Sequence, residues 1–354
     1  MGSHSHWWQH EARSLDPAII KAATEHQNQL TKPQGSLGRL EAIAIQLAGI
    51  QNQLHPHCDK VAITVFAGDH GVVEEGVSAF PQAVTGEMLK NFVSGGAAIA
   101  VLSRALNAQL QVVNVGSLAD PEALPGVIHR VVAKGTASFS TAPAMTPEQL
   151  EQALQVGKDV IDGCATNKVN LWIGGEMGIG NTTAAAAIIS ELLHLDPAQV
   201  VGPGTGLTSE GMQHKARVIA GALSQHQGRM DSPLHVLQHV GGFEIAALAG
   251  AYIRAAQLNI ACVVDGFICG AAALVATRMN PSIGSYLLFS HRSAEPGHQV
   301  LLNALGVEPI VDLTMRLGEG SGAAIVVPLI QSAVQLHNQM ATFAAAGVSE
   351  KLDS

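Results

Sequence analysis

Short apolar runs rich in β-branched residues recur along the chain from about residue 60, each followed by a glycine-rich turn and then a helical pattern. These runs are apolar on both faces, as expected for a parallel sheet that helices cover on each side. The clearest predicted strands are residues 61–69, 110–117, 169–175, 259–266 and 285–291. The pattern therefore predicts an α/β protein with a Rossmann-like, doubly wound, mainly parallel sheet.

The two ends of the chain have a different pattern, because their apolar residues recur at helical spacing with no strand between them. The pattern predicts two N-terminal helices, at residues 16–30 and 39–54, and a C-terminal helical segment at residues 320–347. We expect these helices to form a small domain built from both chain ends. The predicted divisions are 1–58 for the N-terminal helices, 59–318 for the Rossmann-like catalytic domain and 319–354 for the C-terminal helices.

Composition and charge narrow the class of protein. Of the 354 residues, 47% are hydrophobic and 13% are charged, which is typical of a globular chain with a large core. The formal charge is 19 − 28 = −9 and no cluster of Lys and Arg stands out, so we expect no nucleic-acid partner and no attraction to anionic membranes. We also expect no membrane span and no secretion signal.

The four cysteines lie at 58, 164, 262 and 269, without paired C-x-x-C spacing, and we interpret them as buried thiols of a reducing compartment. The predicted location is therefore the cytoplasm. The histidines at positions 4, 6 and 10 could bind a metal, but we interpret them as part of a mobile or tag-derived terminus.

The stretch GGEMGIGNTTAAAA (174–187) follows a predicted strand and opens a predicted helix. It resembles a nucleotide triphosphate loop in which Asn181 replaces the lysine, so its N–H groups and the positive helix end suit a single phosphate. The alternative is a glycine turn that permits close packing of helix and strand. The predicted ligand contacts are Gly175, Gly178, Ile179, Gly180, Asn181 and Thr182.

A second glycine-rich loop begins at residue 202 and precedes another helical pattern. Gly204, Thr205 and Gly206, with Lys215 downstream, could complete the phosphate site or hold a ribose hydroxyl, and a structural turn is the alternative. Asp265 ends a strand and resembles the acid that binds ribose hydroxyls in Rossmann folds. Asp69 and His70 end another strand, where a polar pair that supports neighbouring loops competes with a metal ligand.

Glu319 lies between two glycines, immediately ahead of a long apolar helix. The glycines allow the backbone to approach a ligand, and apolar neighbours would raise the pKa of the carboxyl group toward that of a useful base. Glu319 is therefore a candidate general base, and a helix-capping glutamate is the alternative.

Eight ordered motifs resemble those of one enzyme family over about residues 30 to 340. They are KPQGSLGRLE (32–41), FAGDHGV (66–72), GVSAFPQ (76–82), GEMGIGNTT (175–183), GPGTGL (202–207), DGF (265–267), SHRSAEPGH (290–298) and RLGEGSGA (316–323). The chain resembles the nicotinate-nucleotide:5,6-dimethylbenzimidazole phosphoribosyltransferases of cobalamin lower-ligand synthesis. The resemblance implies transfer of a 5-phosphoribosyl group from nicotinate mononucleotide to dimethylbenzimidazole or a related aromatic base, with inversion at C1′.

The resemblance also implies residue roles and an assembly. Glu319 is then the base. A negative charge on Glu176, inside the phosphate loop, would oppose the phosphate if it pointed inward, so we assign Glu176 a second role, either stabilising positive charge on the ribose or assisting the base. Ser293 and an apolar acceptor pocket complete the predicted site; the pocket residues are Ser78, Phe80, Gln82, Met88 and Leu317. The family reaction needs no metal and no cofactor. A homodimer is implied, and the Ala- and Gly-rich segment 243–257 has a face that could pack against its copy.

Two other functions remain open on the sequence. The phosphate loop by itself is equally compatible with a noncatalytic phosphosugar-binding or sensor protein. The doubly wound fold is shared by NAD-dependent dehydrogenases, although Gly178-Ile-Gly180 is followed by Asn-Thr-Thr and not by x-x-Gly. The preferred aromatic acceptor also stays open, because one methyl group in an apolar pocket changes binding by about 1–3 kcal/mol.

Overall fold

A computed structural model describes residues 6–119, 124–204 and 206–349. These residues form one sheet of six parallel strands in the order β3-β2-β1-β4-β5-β6. The strands are β1 (Val61–Gly68), β2 (Gln109–Gly116), β3 (Val127–His129), β4 (Leu171–Met177), β5 (Ala261–Val264) and β6 (Leu287–Phe289). The predicted fold class is confirmed. The sequence pattern missed β3, a three-residue edge strand that is largely exposed and therefore lacks an apolar run.

The strand order explains where a ligand can bind. The chain proceeds from β1 to β2 and β3 on one side, and then from β4 to β5 and β6 on the other. Because connections between parallel strands are right-handed, this reversal distributes the helices over both faces of the sheet. It also leaves a crevice between the carboxyl ends of β1 and β4, the switch point at which doubly wound folds bind ligands.

Fourteen α-helices cover the sheet and form the chain ends within the described residues. In chain order they are α1 (Pro17–Gln29), α2 (Arg39–Gln51), α3 (Ala83–Ser94), α4 (Ala98–Ala105), α5 (Pro147–Thr166), α6 (Asn181–Leu193), α7 (Pro197–Val200), α8 (Ser209–His226), α9 (Pro233–Val240), α10 (Phe243–Gln257), α11 (Phe267–Met279), α12 (Pro296–Leu305), α13 (Ser321–Gln339) and α14 (Phe343–Ala346). Three short 3-10 helices span Trp7–Gln9, Gly71–Glu75 and Pro281–Tyr286. No helix of the described chain is both long and apolar enough to cross a bilayer.

The helices of the two chain ends pack together. Helix α2 contacts both α1 and α13, and its buried residues include Ile43 and Leu47. In the loop ahead of α2, the ammonium group of Lys32 lies 2.7 Å from the carboxylate of Glu41, and both side chains are largely buried. Lys32 and Glu41 of the KPQGSLGRLE motif therefore form an ion pair that closes this loop.

Residues 7–13 pack against the rest of the chain, so the mobile-terminus interpretation is wrong for this segment. The tag-derived interpretation stays a prediction, and His4 lies outside the described residues. Trp8 is buried, and the side-chain amide of Asn280 donates hydrogen bonds to the carbonyl groups of Trp8 and His10. Tyr286 donates to the carbonyl of Arg13 at 2.6 Å. The segment therefore packs against the Rossmann-like part of the chain, because its tryptophan supplies apolar area that the sequence pattern did not weigh.

Helix α10 is the most enclosed helix near the sheet, and it cannot present a face to a second copy. Thirteen of its residues are buried, against α5, α11 and the strands β1 and β4. A Cβ atom at Gly157 of α5 would overlap the carbonyl oxygen of Ala247, and one at Gly250 would overlap that of Leu154. The small residues that suggested a dimer surface instead allow α5 and α10 to cross at close range within one chain.

This crossing gives a stability prediction. The substitution Gly157→Ala should lower the free energy of unfolding by about 1–3 kcal/mol, because the new methyl group forces the two helix backbones apart. Gly163→Ala in the same helix is the matched control, since nothing lies within 4 Å of its Cβ position. Its stability should stay unchanged or rise by up to about 1 kcal/mol from improved helix propensity. Denaturant unfolding measures both; equal stabilities of the two variants would contradict the close crossing.

Candidate active site

Residues at the end of β1 stabilise the loops around the crevice between β1 and β4. The carboxylate of Asp69 accepts a hydrogen bond of 2.6 Å from the hydroxyl of Thr85 and one of 2.8 Å from the N–H of Leu118. The Thr85 hydroxyl accepts in turn from the N–H of Ile179, in the predicted phosphate loop, at 3.2 Å. Both carboxylate oxygens of Asp69 are thereby engaged, so the loop-supporting interpretation is favoured over a metal ligand.

A fully buried pair lies directly behind the same loop. The Nε2 atom of His70 is 2.6 Å from the carboxylate of Glu244, and both side chains are completely buried. A Cβ atom at Gly180 would lie 3.0 Å from the Cβ atom of His70 and 2.7 Å from a methyl group of Val73. The positive φ of 98° at Gly180 adds a second reason for glycine at this turn.

The loop after β4 delivers the positive end of α6 to the crevice. Gly180 is the N-cap residue of this 13-residue helix, and Asn181 and Thr182 form its first turn. The backbone of Gly178 runs against the carbonyl of Gly68, at the end of β1. A small recess of about 20 Å³ forms in front of this helix end. Its lining residues are Val77, Ser78, Gly178, Ile179, Gly180, Asn181, Thr182, Pro203, Leu207 and Lys215.

Lys215 supplies the cation of this recess. Its ammonium group donates a hydrogen bond of 2.8 Å to the hydroxyl of Thr182, and the residue is 2% exposed. Burial lowers the pKa of Lys215 to about 8, and the nearby Glu295 acts in the opposite direction. The Arg316 guanidinium donates to the carbonyl of Gly204 at 2.8 Å and so holds the second glycine-rich loop. Helix end, lysine and loop together offer the positive charge and hydrogen-bond donors that suit an anion, and we name this candidate site the anion recess.

Glu319 stands on a turn with unusual backbone conformation. Gly318, Glu319 and Gly320 all have positive φ, of 89°, 65° and 84°. Such a conformation is strained for glutamate and persists where the surroundings hold it. The Glu319 side chain is largely buried, and one carboxylate oxygen accepts a hydrogen bond of 3.3 Å from the N–H of Ile99, in the first turn of α4. Glu319 thus caps α4 from a distance, not the helix that it precedes.

Asp265, at the end of β5, holds that turn in place. Its two carboxylate oxygens accept hydrogen bonds from the N–H groups of Gly320 at 3.1 Å and Ala323 at 2.9 Å. Burial raises the pKa of Asp265, while His291 and these N–H groups act in the opposite direction. The carboxylate is therefore directed at the first turn of α13, and its predicted contact with a ribose hydroxyl stays a prediction.

The carboxyl groups at this edge repel one another. Burial, together with repulsion from Glu244 and Asp265, raises the pKa of Glu176 to about 8. Glu176 is hydrogen-bonded to the side-chain amide of Asn181. Burial also raises the pKa of Glu319, with a contribution of the same sign from Asp265 and one of opposite sign from the Ile99 hydrogen bond. Near pH 7, Glu176 is therefore mostly neutral, which removes the expected conflict between its charge and an anion.

A larger cavity of about 270 Å³ opens beside the recess and shares four wall residues with it, Gly178, Ile179, Asn181 and Thr182. Phe80 and Leu317 are exposed and lie at its edge. The predicted site residues that line the cavity are Phe80, Met88, Glu176, Gly178, Ile179, Asn181, Thr182, Gly204, Asp265, Ser293, Leu317 and Glu319. An anion recess, an apolar chamber and a carboxyl group thus form one continuous site.

Three predicted contacts lie away from both cavities. Gly175 is inside β4, where its missing side chain makes room for the backbone of Glu319. The amide of Gln82 donates to the carbonyl of His70 at 2.8 Å, and Gly206 faces open space. Thr205 lies outside the described residues.

Several wall residues were absent from the sequence prediction. His291 and Glu295 both line the larger cavity, and they belong to SHRSAEPGH, a strand-end motif from which the prediction took Ser293 alone. Their position after β6 was a signal that could have found them. The remaining omitted wall residues are Val84, Met177, Gly266, Phe267, Ile268, Cys269, Arg316 and Gly318.

Comparison with known proteins identifies the family. A family model described as "Phosphoribosyltransferase" matches residues 12–348. A nicotinate-nucleotide–dimethylbenzimidazole phosphoribosyltransferase of Pseudomonas putida strain W619 is 57% identical over 345 residues, 98% of each chain. The chain belongs to this family. The family expected from the eight motifs is confirmed, and the same name is carried by a relative from Ectopseudomonas mendocina that is 55% identical with the same coverage.

Solved structures of this phosphoribosyltransferase family share the fold. The crystal structure of CobT from Thermus thermophilus superposes with a TM-score of 0.91 at 43% identity, and covers 95% of this chain and 100% of its own. A second structure from that organism, of the nicotinate-nucleotide–dimethylbenzimidazole enzyme, has a TM-score of 0.90 at 42% identity.

The anion recess of this phosphoribosyltransferase gives a binding prediction. Lys215→Met should weaken binding of inorganic phosphate by roughly tenfold or more, because a charge-assisted hydrogen bond contributes about 1.5–3 kcal/mol. Lys21→Met, on the exposed face of α1, is the matched control and should bind phosphate like the parent chain. Titration calorimetry measures both. If Lys215→Met keeps the parent affinity, the recess is not the anion site.

Proposed function

We propose that this chain transfers the 5-phosphoribosyl group from nicotinate mononucleotide to 5,6-dimethylbenzimidazole, releasing nicotinate and forming α-ribazole 5′-phosphate. The observation that carries the proposal is the continuity of the anion recess with an apolar chamber that has Glu319 in its wall. A phosphorylated ribose and a flat aromatic ring need these two environments side by side. The names of the relatives support the same reaction.

The phosphate of the donor binds in the recess. The positive end of α6 and the ammonium of Lys215 supply its electrostatic attraction, and the glycines let the backbone approach closely. A single 5′-phosphate has no outer phosphate groups to hold, which accounts for Asn181 where a triphosphate loop has lysine. An anion bound at Lys215 also favours the protonated ammonium and offsets the lowering of its pKa by burial.

The reaction requires a general base that takes a proton from the acceptor, whereas the leaving group needs no general acid. The nicotinate nitrogen is quaternary in the donor, so it takes the electron pair of the breaking C1′–N bond and leaves as a neutral ring. One benzimidazole nitrogen forms the new bond to C1′ from the opposite face, and the N–H proton of the other nitrogen passes to the Glu319 carboxylate. The raised pKa of Glu319 suits it to accept that proton.

Glu176 has a different role from Glu319 in this proposal. Its raised pKa keeps it mostly protonated before the donor binds. A pyridinium ring and a ribose that gains positive charge favour the ionised form, so Glu176 can respond to the donor by stabilising that charge. Glu319, tethered to the N–H of Ile99, stays available as the acceptor of the proton.

The reaction is tested by mixing the purified chain with nicotinate mononucleotide and dimethylbenzimidazole and measuring released nicotinate and α-ribazole phosphate. Both products should appear in equal amounts. A chain that binds the nucleotide but releases no nicotinate with any of several benzimidazoles or phenols would be a phosphosugar-binding protein instead. Direct competition among benzimidazole, adenine and phenol acceptors identifies the preferred base.

Glu319→Gln should lower turnover by roughly 10²–10⁴-fold, the range for loss of general-base catalysis. The amide oxygen still accepts from Ile99, so binding of nicotinate mononucleotide should change much less than turnover. In the parent chain, activity should fall as pH falls through the raised pKa of Glu319, above the ordinary value of about 4.3. The activity of the variant should no longer fall over this pH range.

The matched control is Glu308→Gln, an exposed glutamate outside both cavities, which should keep parent turnover and the parent pH profile. Single-turnover measurements ensure that the chemical step is the one compared. Near-parent turnover of Glu319→Gln under those conditions would remove Glu319 from its assigned role.

We infer further that the chain forms a homodimer through an apolar patch on α4 and α13. Val101, Ile325 and Leu329 are exposed by 49%, 39% and 39%, although they are large and apolar, and the two helices contact each other. Exposed apolar patches of this kind favour association.

The four cysteines are unpaired and buried, which supports the proposed cytoplasmic location.

Leu329→Glu should convert the dimer into a monomer, because it places a charge in the apolar patch. Light scattering at micromolar concentration should give the mass of two chains for the parent and of one chain for the variant. The matched control is Val348→Glu, because Val348 is also apolar and exposed but lies near the C-terminal end; this variant should remain dimeric. A parent chain that is active as a monomer would refute the dimer.

A further inference from the structure

Three histidines meet in the helical part of the chain, away from the cavities described above. His26 is on α1, His55 follows α2, and His337 is near the end of α13. One ring nitrogen from each lies within 4.8 Å of the other two. The ring centroids are 4.7 Å apart for His26 and His337, 5.4 Å for His26 and His55, and 6.3 Å for His55 and His337. Three segments distant in sequence therefore converge on one point.

Backbone carbonyl groups fix the protonation of two of these rings. Nε2 of His26 lies 2.8 Å from the carbonyl oxygen of His337, and Nε2 of His337 lies 2.9 Å from that of Leu54. Because a carbonyl oxygen can only accept, both Nε2 atoms carry a proton, and in the neutral form of each ring Nδ1 is the nitrogen with the lone pair. Histidines that ligate metals typically donate their second nitrogen to a carbonyl in this way.

Gln27 contributes a second polar group at the same place. Its amide nitrogen donates to Nδ1 of His337 at 2.9 Å, and the residue is 2% exposed. Its amide oxygen is buried and has no hydrogen-bond partner in the described chain. An unpaired buried oxygen is unfavourable, so a donor such as a metal-bound water would satisfy it.

The ligand set selects the class of ion. Nδ1 of His337 accepts from the Gln27 amide while its Nε2 donates to a carbonyl, so this ring has the hydrogen-bond pattern of a neutral ligand. The ligand group contains no carboxylate. Neutral imidazoles suit Zn²⁺, Cu²⁺ or Ni²⁺, whereas Mg²⁺ and Ca²⁺ require oxygen ligands.

We propose that His26, His55 and His337 bind one divalent transition-metal ion of the zinc class, with a water molecule as the fourth ligand. Nδ1 of His26 and Nδ1 of His337 are the ligand atoms on the two helices. The Gln27 amide nitrogen releases His337 when the ion binds, and the amide oxygen accepts a hydrogen bond from the bound water. The ion joins α1, the segment after α2 and α13, and so links the two chain ends.

The proposed ion is structural and not part of the reaction. His337 is sixteen residues after Ser321, the first residue of α13, which corresponds to about 24 Å along the helix. Occupancy should therefore raise stability by binding the folded state and leave nicotinate release unchanged.

Thermal unfolding of the full chain, after chelation and then with added ZnCl2, tests the proposal. At a zinc concentration about a hundredfold above Kd, Tm should rise by roughly 4 °C for a chain of this length. His55→Ala should abolish the rise at little cost to the metal-free protein, since this side chain is exposed and has no hydrogen bond in the described chain. His57→Ala, two residues away and also exposed, is the matched control and should keep the full rise.

Equilibrium dialysis gives a second measure that separates this site from the histidines at 4, 6 and 10. With those three changed to Asn, the chain should still bind one zinc, and adding His55→Ala should remove it. Nicotinate release should be the same in all these variants. An unchanged Tm rise in His55→Ala, or no zinc bound once the N-terminal histidines are replaced, would overturn the proposal.

Discussion

The hydrogen bonds between the Asp265 carboxylate and the first turn of α13 determine where the candidate active site is formed. Gly320 is the N-cap of α13 and has no side chain to cap it, so Asp265 at the end of β5 supplies the acceptor from another part of the chain. That attachment places the strained Glu319 turn over the sheet edge. A cap supplied by a strand end fixes the positions of helix, turn and sheet relative to one another, which a local cap would not do.

A second remote cap acts in the same place. Helix α4 has Ala97 at its N-cap position and no capping side chain of its own, and the Glu319 carboxylate accepts from its Ile99 N–H. Buried carboxyl groups held in this way also remain close enough to repel one another, and burial together with this repulsion raises the pKa of Glu176 to about 8. The arrangement separates Glu176 and Glu319, two of the glutamates that line the cavity, into one that is mostly neutral and one that is anchored by an amide. Their different environments give similar side chains different chemistry.

Much of the fold could be predicted from the hydrophobic pattern of the sequence, and the parts that could not be predicted have physical reasons. The five predicted strands are the ones buried on both faces, so their apolar runs were visible in the sequence; β3 is short and exposed, and left no such run. The glycine-rich loops were found because a turn at a strand end needs glycine, but sequence does not distinguish a glycine that lines the recess, such as Gly180, from one that makes room for backbone inside the sheet, such as Gly175. Strand ends indicated Asp265 but not its partners, which are backbone N–H groups without a sequence signal. The His70–Glu244 pair was equally hidden, because its members are separated by 174 positions.

Helices α4 and α13 connect the chemistry of the site to the proposed assembly. Glu319 immediately precedes α13 and accepts a hydrogen bond from α4, and the exposed residues Val101 and Leu329 lie further along the same two helices. A second chain packed on that patch would restrain the relative position of the helices, and with it the carboxylate that both of them hold. A rigid pair of helices matters most for a base that must meet a flat ring at hydrogen-bond distance, since small displacements of reacting groups have large effects on rate. Association through this patch would therefore contribute to catalysis by orienting Glu319, even if the partner chain contributed no atom to the cavity.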